Sequence, residues 1–338
     1  MKLNYYKIRY LINLTRYLSV YKTINFSKLI ISYLFSSYNL FKIQNIYPHF
    51  ISIETTNFCN LHCPECPVGI RKISLIEKKT FNIDLYKKII DELSPTLHHV
   101  ILYFQGEPFL NNRLVELIRF THTAGIYTST STNGQFLNKK VSKEIVLSGL
   151  DKLIISIDGN TQEVYETYRI GGNLQRTIEG IKNIVEWKKE FKSSTPFVEI
   201  QFLVLKTNEH QMKGMKKLAK ELKVDRLTFK TAQLYGYENG SELMTTIDRY
   251  SRYKITTAGT YMIKGKQPNH CWRMWSGAVV NVHGEVLPCC FDKLSEYSYG
   301  SIVDNSFANS WQGPKAVNFR KGIINHRKQI DICKNCTN

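Results

Sequence analysis

Residues 50 to 67 read FISIETTNFCNLHCPECP. The run FISIETT is β-branched and apolar enough to be a strand, and three cysteines follow it at once: Cys59, Cys63 and Cys66. Structural zinc takes four tetrahedral ligands, commonly from two C-x2-C pairs, and a disulfide framework takes paired cysteines in a short secreted chain. A cubic 4Fe-4S cluster is normally held by four thiolates, so three on one loop would leave one iron open to a substrate or cofactor. A zinc half-site completed by a distant residue, or chance clustering, is the alternative reading of the triplet.

Outward from this stretch the chain alternates. Strand-like runs at 50–56, 99–104, 127–133, 152–158, 197–206 and 226–232 are separated by helix-like segments such as DLYKKIIDEL, RLVELIRFTHTAG and LQRTIEGIKNIVEWKKEF. Strand and helix repeated six times imply parallel strands with right-handed crossovers, in an open doubly wound sheet or a barrel-like one. Polar or glycine-bearing residues fall just after each strand, at the carboxyl ends where parallel α/β sheets bind ligands. The triplet follows the first strand, QGEP (105–108) the second, STNG (131–134) the third and SIDG (156–159) the fourth, so all four open onto one face. Gly106 and Gly134 permit close backbone approach, and Glu107 can accept from an ammonium. Ser156 with Asp158 can bond vicinal hydroxyls, while Arg169 in YETYRIGG can grip a carboxylate.

The bulk numbers set limits. A chain of 338 residues with 43% hydrophobic content can bury a substantial core. Lys plus Arg total 46 against 28 for Asp plus Glu, a formal charge of +18 that favours anionic partners. That charge is scattered, and runs such as KGMKKLAKELK read as solvated helix faces rather than a nucleic-acid groove. The sequence shows no cleavable signal and no 18-residue apolar run, so its eight cysteines are expected in a reducing cytoplasm. Residues 1–48, rich in Tyr, Leu, Ile and Lys, read as a helical extension capping the main domain, with peripheral membrane contact as the alternative.

With these motifs in place, residues 50 to 235 resemble the radical S-adenosylmethionine enzymes, whose partial (β/α)6 TIM-like barrel carries C-x3-C-x2-C, GEP-type, TNG and S-x-DG elements after successive strands. The resemblance implies that Cys59, Cys63 and Cys66 bind a 4Fe-4S cluster whose fourth iron chelates S-adenosylmethionine. It further implies that Gly106 and Glu107 meet the methionine amino group, that Ser156 and Asp158 meet the ribose, that Arg169 meets the methionine carboxylate, and that Gln105 and Asn133 also contact the cofactor. Where the family often has a large apolar residue before the last cysteine, this chain has Glu65. One electron from an external reductant such as flavodoxin or ferredoxin would cleave the sulfonium, and a 5′-deoxyadenosyl radical would abstract hydrogen from an unactivated carbon.

The expected division is an extension at 1–48, the barrel at 49–235, a linker at 236–268 and a small C-terminal β-hairpin/helix domain at 269–338. Cys271 and Cys289 bracket a hairpin turning at His283-Gly284, and CKNC closes the chain with Cys333 and Cys336. Four thiolates would fully ligate a second, auxiliary 4Fe-4S cluster, with zinc as the alternative. The block resembles the auxiliary-cluster extensions called SPASM and twitch, and the four cysteines favour the one-cluster form. Cys290 is left over and reads as a small apolar residue beside the cluster. An auxiliary cluster that accepts electrons suits a two-electron oxidation, and Asp292, Lys206, Lys230 and Tyr235 are candidate proton acceptors near strand ends. The charge favours a small anionic substrate over a peptide. A non-catalytic iron-sulfur carrier or a zinc-bound interaction protein is the reading from another class.

Overall fold

The computed structural model describes residues 15–36, 44–70 and 77–337. Strands β1 (Phe50–Ile53), β2 (His99–Ile101), β3 (Tyr127–Thr132), β4 (Lys152–Ser156), β5 (Phe197–Val204) and β6 (Arg226–Thr231) lie side by side in chain order, every neighbouring pair parallel. Helices connect them, including Ile83–Leu93, Leu114–Thr123, Lys139–Val146, Leu174–Glu190 and Met212–Glu221. Asn82, Asn138 and Asn173 start three of these helices by accepting from the backbone N–H three residues on, at 2.8–2.9 Å.

The period of two along each strand sorts side chains by face. Ile51, Ile53, Val100, Leu102, Leu153, Ile155, Val198, Ile200 and Phe202 join the helices in one core. The residues between them are mixed, Ser52, Glu199 and Gln201 being polar and Ile101 and Ile154 apolar. On that second face His99 Nε2 lies 2.8 Å from Ser129 Oγ, and Lys152 pairs with Glu199 at 2.9 Å. The strands thus form an open, partial barrel whose inner face carries polar and apolar groups.

The sheet continues beyond β1. A short hairpin elsewhere in the linker, β7 (Tyr253–Ile255) with β8 (Tyr261–Ile263), stands apart as its own two-stranded sheet. The C-terminal hairpin, β9 (Gly277–Val280) and β10 (Glu285–Leu287), does not stand apart: β9 pairs parallel with β1 over four residues, and β11 (Gly300–Ser301) completes the nine-stranded order β11-β10-β9-β1-β2-β3-β4-β5-β6. Gly284, at φ +81°, makes the turn that His283-Gly284 announced. Gly277 is needed for another reason, because a Cβ there would stand 2.3 Å from the Phe50 ring.

The helix Val20–Ser36 lies at the amino-terminal ends of the strands. Lys22 Nζ donates to Gly125 O, Asn25 bonds both backbone groups of Tyr47, and the Phe26 ring packs on His49 and His98. Burial holds both imidazoles down at about 4, so they are neutral structural groups. No helix among the described residues is long and apolar enough to cross a membrane.

Candidate functional site

The loop after β1 is held by backbone bonds to its neighbours: Glu107 N donates to Phe58 O at 2.8 Å and His62 N to Ile170 O at 3.0 Å. Gly106, at φ +68°, permits this approach, since a Cβ there would meet Thr56 O at 2.3 Å. The result is a cavity of about 140 Å³ at the carboxyl ends of β1–β4 whose walls include Cys59, Cys63 and Cys66.

Gly106, Glu107, Asn133, Ser156 and Arg169 share that cavity with the thiols. Asn133 Nδ2 donates to Asn60 Oδ1 at 2.8 Å and approaches Cys59 Sγ at 3.7 Å. Arg169 Nη1 lies 3.8 Å from Cys63 Sγ. Glu107 accepts from Thr132 Oγ1, Asn133 N and Phe109 N, and burial still pushes its carboxyl up to about 7. Two predicted residues sit outside the walls. Asp158 is fully buried, accepting from Leu203 N at 2.6 Å and from Arg169 Nε at 2.5 Å, so it anchors the arginine from beneath. Gln105 turns to the C-terminal segment, where its Nε2 donates to Lys293 O at 3.0 Å.

Cys271, Cys289, Cys333 and Cys336 line a second cavity, of about 20 Å³, with Phe291, Phe319, Ile323 and Arg327 around them. Arg327 is almost fully buried; its Nη1 donates to His270 O at 2.6 Å and its Nη2 lies 3.6 Å from Cys336 Sγ. Asn335, inside CKNC, donates to Leu234 O and accepts from Tyr253 Oη, which ties this loop to the end of β6. Cys290 points away and packs on Phe104, Val279 and Leu287.

All eight cysteines are free. Burial pushes the Cys59 thiol up to about 12 and Cys333 to about 11, so these groups would ionise only against a strong positive centre such as bound iron. Among the described residues no three His, Cys, Asp or Glu side chains converge on one ion. A cube asks for a wider spacing, because each thiolate ligates its own iron. Three soft thiols on a partly polar cavity and four on a closed apolar one therefore fit an open and a fully ligated cluster respectively.

A third cavity, of about 270 Å³, has walls from both cysteine loops and shares Phe291 and Ile332 with the second cavity. It runs from Pro67 and Ile70 on the triplet loop past Tyr235 to Phe291–Glu296, Asp331 and Ile332. Asp292 and Tyr235, both candidate proton acceptors, meet on its wall, whereas Lys206 and Lys230 are exposed and outside it. Burial raises Asp292 above the ordinary carboxylate range, and its two oxygens accept from Glu296 N and Tyr297 N. Tyr235 is pushed up to about 12, first by burial and then by the neighbouring Cys66 and Glu65 charges, and its backbone N–H donates to Glu65 Oε2 at 2.7 Å. Sequence reasoning missed Tyr168 on the first cavity and Arg327 on the second. Tyr168 adjoins the flagged Arg169, but nothing around Arg327 marks it as a partner for thiols.

Comparison with known proteins follows this geometry. A family model described as the Radical SAM superfamily matches residues 53–219, and one described as an iron-sulfur cluster-binding domain, SPASM, matches 271–337. A tungsten-containing aldehyde ferredoxin oxidoreductase cofactor-modifying protein of Pyrococcus furiosus is 24% identical over 318 residues, 85% of this chain and 87% of that protein. A PqqA peptide cyclase of Bradyrhizobium diazoefficiens is 24% identical over 311 residues, 86% and 78% of the two chains. Among solved structures, Streptococcus suis SuiB bound to S-adenosylmethionine superposes with a TM-score of 0.65 at 15% identity, over 90% of this chain and 74% of SuiB. Native anSMEcpe with bound AdoMet gives 0.60 at 17% identity, over 86% and 88%.

Proposed function

Starting from the fact that this chain belongs to the radical S-adenosylmethionine superfamily and carries a SPASM iron-sulfur domain, we propose that it oxidises a peptide substrate by two electrons at the 270 Å³ cavity. The family cofactors are a 4Fe-4S cluster, S-adenosylmethionine and auxiliary iron-sulfur. When bound, and after one electron from an external reductant, they take a hydrogen atom from an unactivated substrate carbon and release methionine and 5′-deoxyadenosine.

Cys59, Cys63 and Cys66 hold the first cluster in this reading, and Cys271, Cys289, Cys333 and Cys336 hold one auxiliary cluster. Arg169, oriented by Asp158, binds the methionine carboxylate, while Glu107, Asn133 and Ser156 offer acceptors and donors along the same wall. Pro67, Ile70, Phe291 and Ile332 exclude water from the substrate carbon. After hydrogen abstraction the substrate proton would pass to Asp292, since Tyr235, pushed up to about 12, already holds its own, and an auxiliary cluster held by the four C-terminal cysteines would take the remaining electron and pass it to an oxidised protein carrier. Lys206 and Lys230 have no support as acceptors, being exposed and off the cavity.

The observation that carries the proposal is that one cavity has walls from both cysteine loops. Its charged lining, Asp292, Glu296 and Asp331 against Lys293, runs against the small anionic substrate expected from net charge. A peptide with an apolar or basic side chain suits it better, and the names of the PqqA relative and of SuiB bound to its precursor peptide SuiA point the same way. Eight free thiols suit a reducing compartment.

The test is anaerobic reconstitution, reduction and addition of S-adenosylmethionine with candidate peptides. Expected are about eight irons per chain, from two four-iron cubes, then 5′-deoxyadenosine and a peptide lighter by two hydrogens. A colourless zinc protein, or S-adenosylmethionine cleavage that survives Cys63→Ala, overturns the reading.

A further inference from the structure

The helix Val20–Ser36 keeps an apolar face outside. Its buried positions are Lys22, Asn25, Leu29, Ser32 and Ser36, all polar but one. The polar ones are bonded inward: Lys22 to Gly125 O at 2.6 Å, Asn25 to Tyr47, Ser32 Oγ to Trp275 Nε1 at 3.2 Å, and Ser36 Oγ to His270 Nε2 at 2.9 Å. Phe26 and Tyr33 pack inward beside them, and the other large apolar side chains face out. Val20 is 72% exposed, Tyr21 73% and Leu34 60%, with Ile24, Ile31 and Phe35 between about half and that value. At 3.6 residues per turn these six fall on one stripe, opposite the buried face. A surface helix of a globular protein has the reverse arrangement, and a contiguous apolar stripe of this kind marks an interaction site.

Charge selects the partner. The first 53 residues contain seven Lys or Arg and no Asp or Glu, the first acid being Glu54. Arg16 and Lys28 stand exposed at the helix. A second copy of this chain, itself at +18, would bring the same basic segment against itself. A bilayer surface with anionic headgroups complements both properties, since it buries an apolar stripe to the depth of the acyl boundary and attracts the flanking cations. The helix packs where β1, β2 and β3 begin, against Tyr47, His98 and Gly125, and its last turn reaches His270 and Trp272 beside Cys271, whereas the first cysteine cavity opens where those strands end. Docking by this helix leaves the mouth free.

We propose that the stripe Val20, Tyr21, Ile24, Ile31, Leu34 and Phe35 seats the protein on an anionic lipid surface, as an interfacial helix lying in the plane of the headgroups. The experiment is flotation of the reconstituted full chain with phosphatidylcholine vesicles, with and without 30% phosphatidylglycerol, at about 0.05 and 0.5 M salt. The chain is expected to float with the anionic vesicles and to lose binding at high salt, each engaged cation contributing about fivefold. Ile31→Glu with Phe35→Glu is expected to cut binding at least about tenfold while 5′-deoxyadenosine formation is unchanged, which shows the variant folded. Lys28→Glu, which leaves the stripe intact, is expected to lower binding to anionic vesicles alone. Failure to float with anionic vesicles, full binding by the double variant, or a dimer that the double variant disperses would overturn the proposal.

Discussion

The two cysteine cavities each place a guanidinium beside a thiol, and they treat it differently. In the first, Arg169 is held by Asp158, a fully buried carboxylate, so cation and anion largely cancel before any ligand arrives. In the second, the side-chain nitrogens of Arg327 bond the carbonyls of Pro268 and His270, which carry no net charge, and Cys336 Sγ stands 3.6 Å away. The rooms differ as well: about 140 Å³ with walls both polar and apolar against about 20 Å³ with apolar ones. Room and neutrality go with three thiols; closure and a guanidinium among neutral carbonyls and thiols go with four. A site that admits a zwitterionic ligand needs space and a steered fork, whereas a site that only shuttles electrons needs negative thiolates offset by fixed positive charge.

The sharpest break of that contrast comes from deleting one thiol on each side. Cys63→Ala is expected to abolish 5′-deoxyadenosine formation, at least about a hundredfold, measured by chromatography. Cys333→Ala should keep that cleavage within about tenfold yet lose peptide oxidation, and equal losses in both variants would erase the distinction. Next, Arg169→Met strands the Asp158 carboxylate in the interior, and removing one partner of such a pair costs about 3–5 kcal/mol, read from urea unfolding. By the same contrast Arg327→Met should lower the midpoint potential of the auxiliary cluster in an EPR-monitored titration, because a fixed positive charge that favours the reduced form is gone.

A smaller effect concerns Glu54, at the end of β1. It is buried, Oε2 accepts from Val282 N, Oε1 has no partner, and burial raises its carboxyl to about 7. Because the unfolded chain releases this proton at about 4.5 and the folded one holds it to about 7, stability should fall as pH rises across that window, by on the order of 3 kcal/mol at most. Glu54→Gln mimics the neutral form and should flatten the slope of the urea midpoint between those pH values. The smallest effect is Glu65→Ala, which removes one charge-assisted bond to Tyr235 N at a half-exposed position and should cost about 1 kcal/mol or less while altering peptide KM more than kcat.

Much of this was legible beforehand. The six parallel strands stand where β-branched runs lie between amphipathic helices, three of them Asn-started, and the cavity-lining Gly106, Asn133 and Ser156 lie at or after strand ends, where local pattern and site position coincide. Features set by long-range pairing were not legible. Nothing in GAVV says that β9 will dock beside β1, and nothing in SIDG says that Asp158 will turn under Arg169. Lys206 and Lys230 were chosen for proximity to strand ends, but the turn after β5 and the edge strand β6 direct them to solvent. The helical reading of residues 1–48 did not tell which face of Val20–Ser36 would turn inward, because Lys22 and Asn25 find their partners on segments beyond it in the chain.

The parallel pairing of β9 with β1 has a mechanical result. The triplet loop hangs from the end of one strand, and the chain leading through β10 to Cys289 hangs from its immediate neighbour, so both loops share one sheet as their support. Movement of the outer helices would then reshape the mouth while the sheet fixes how far Cys289 stands from the triplet.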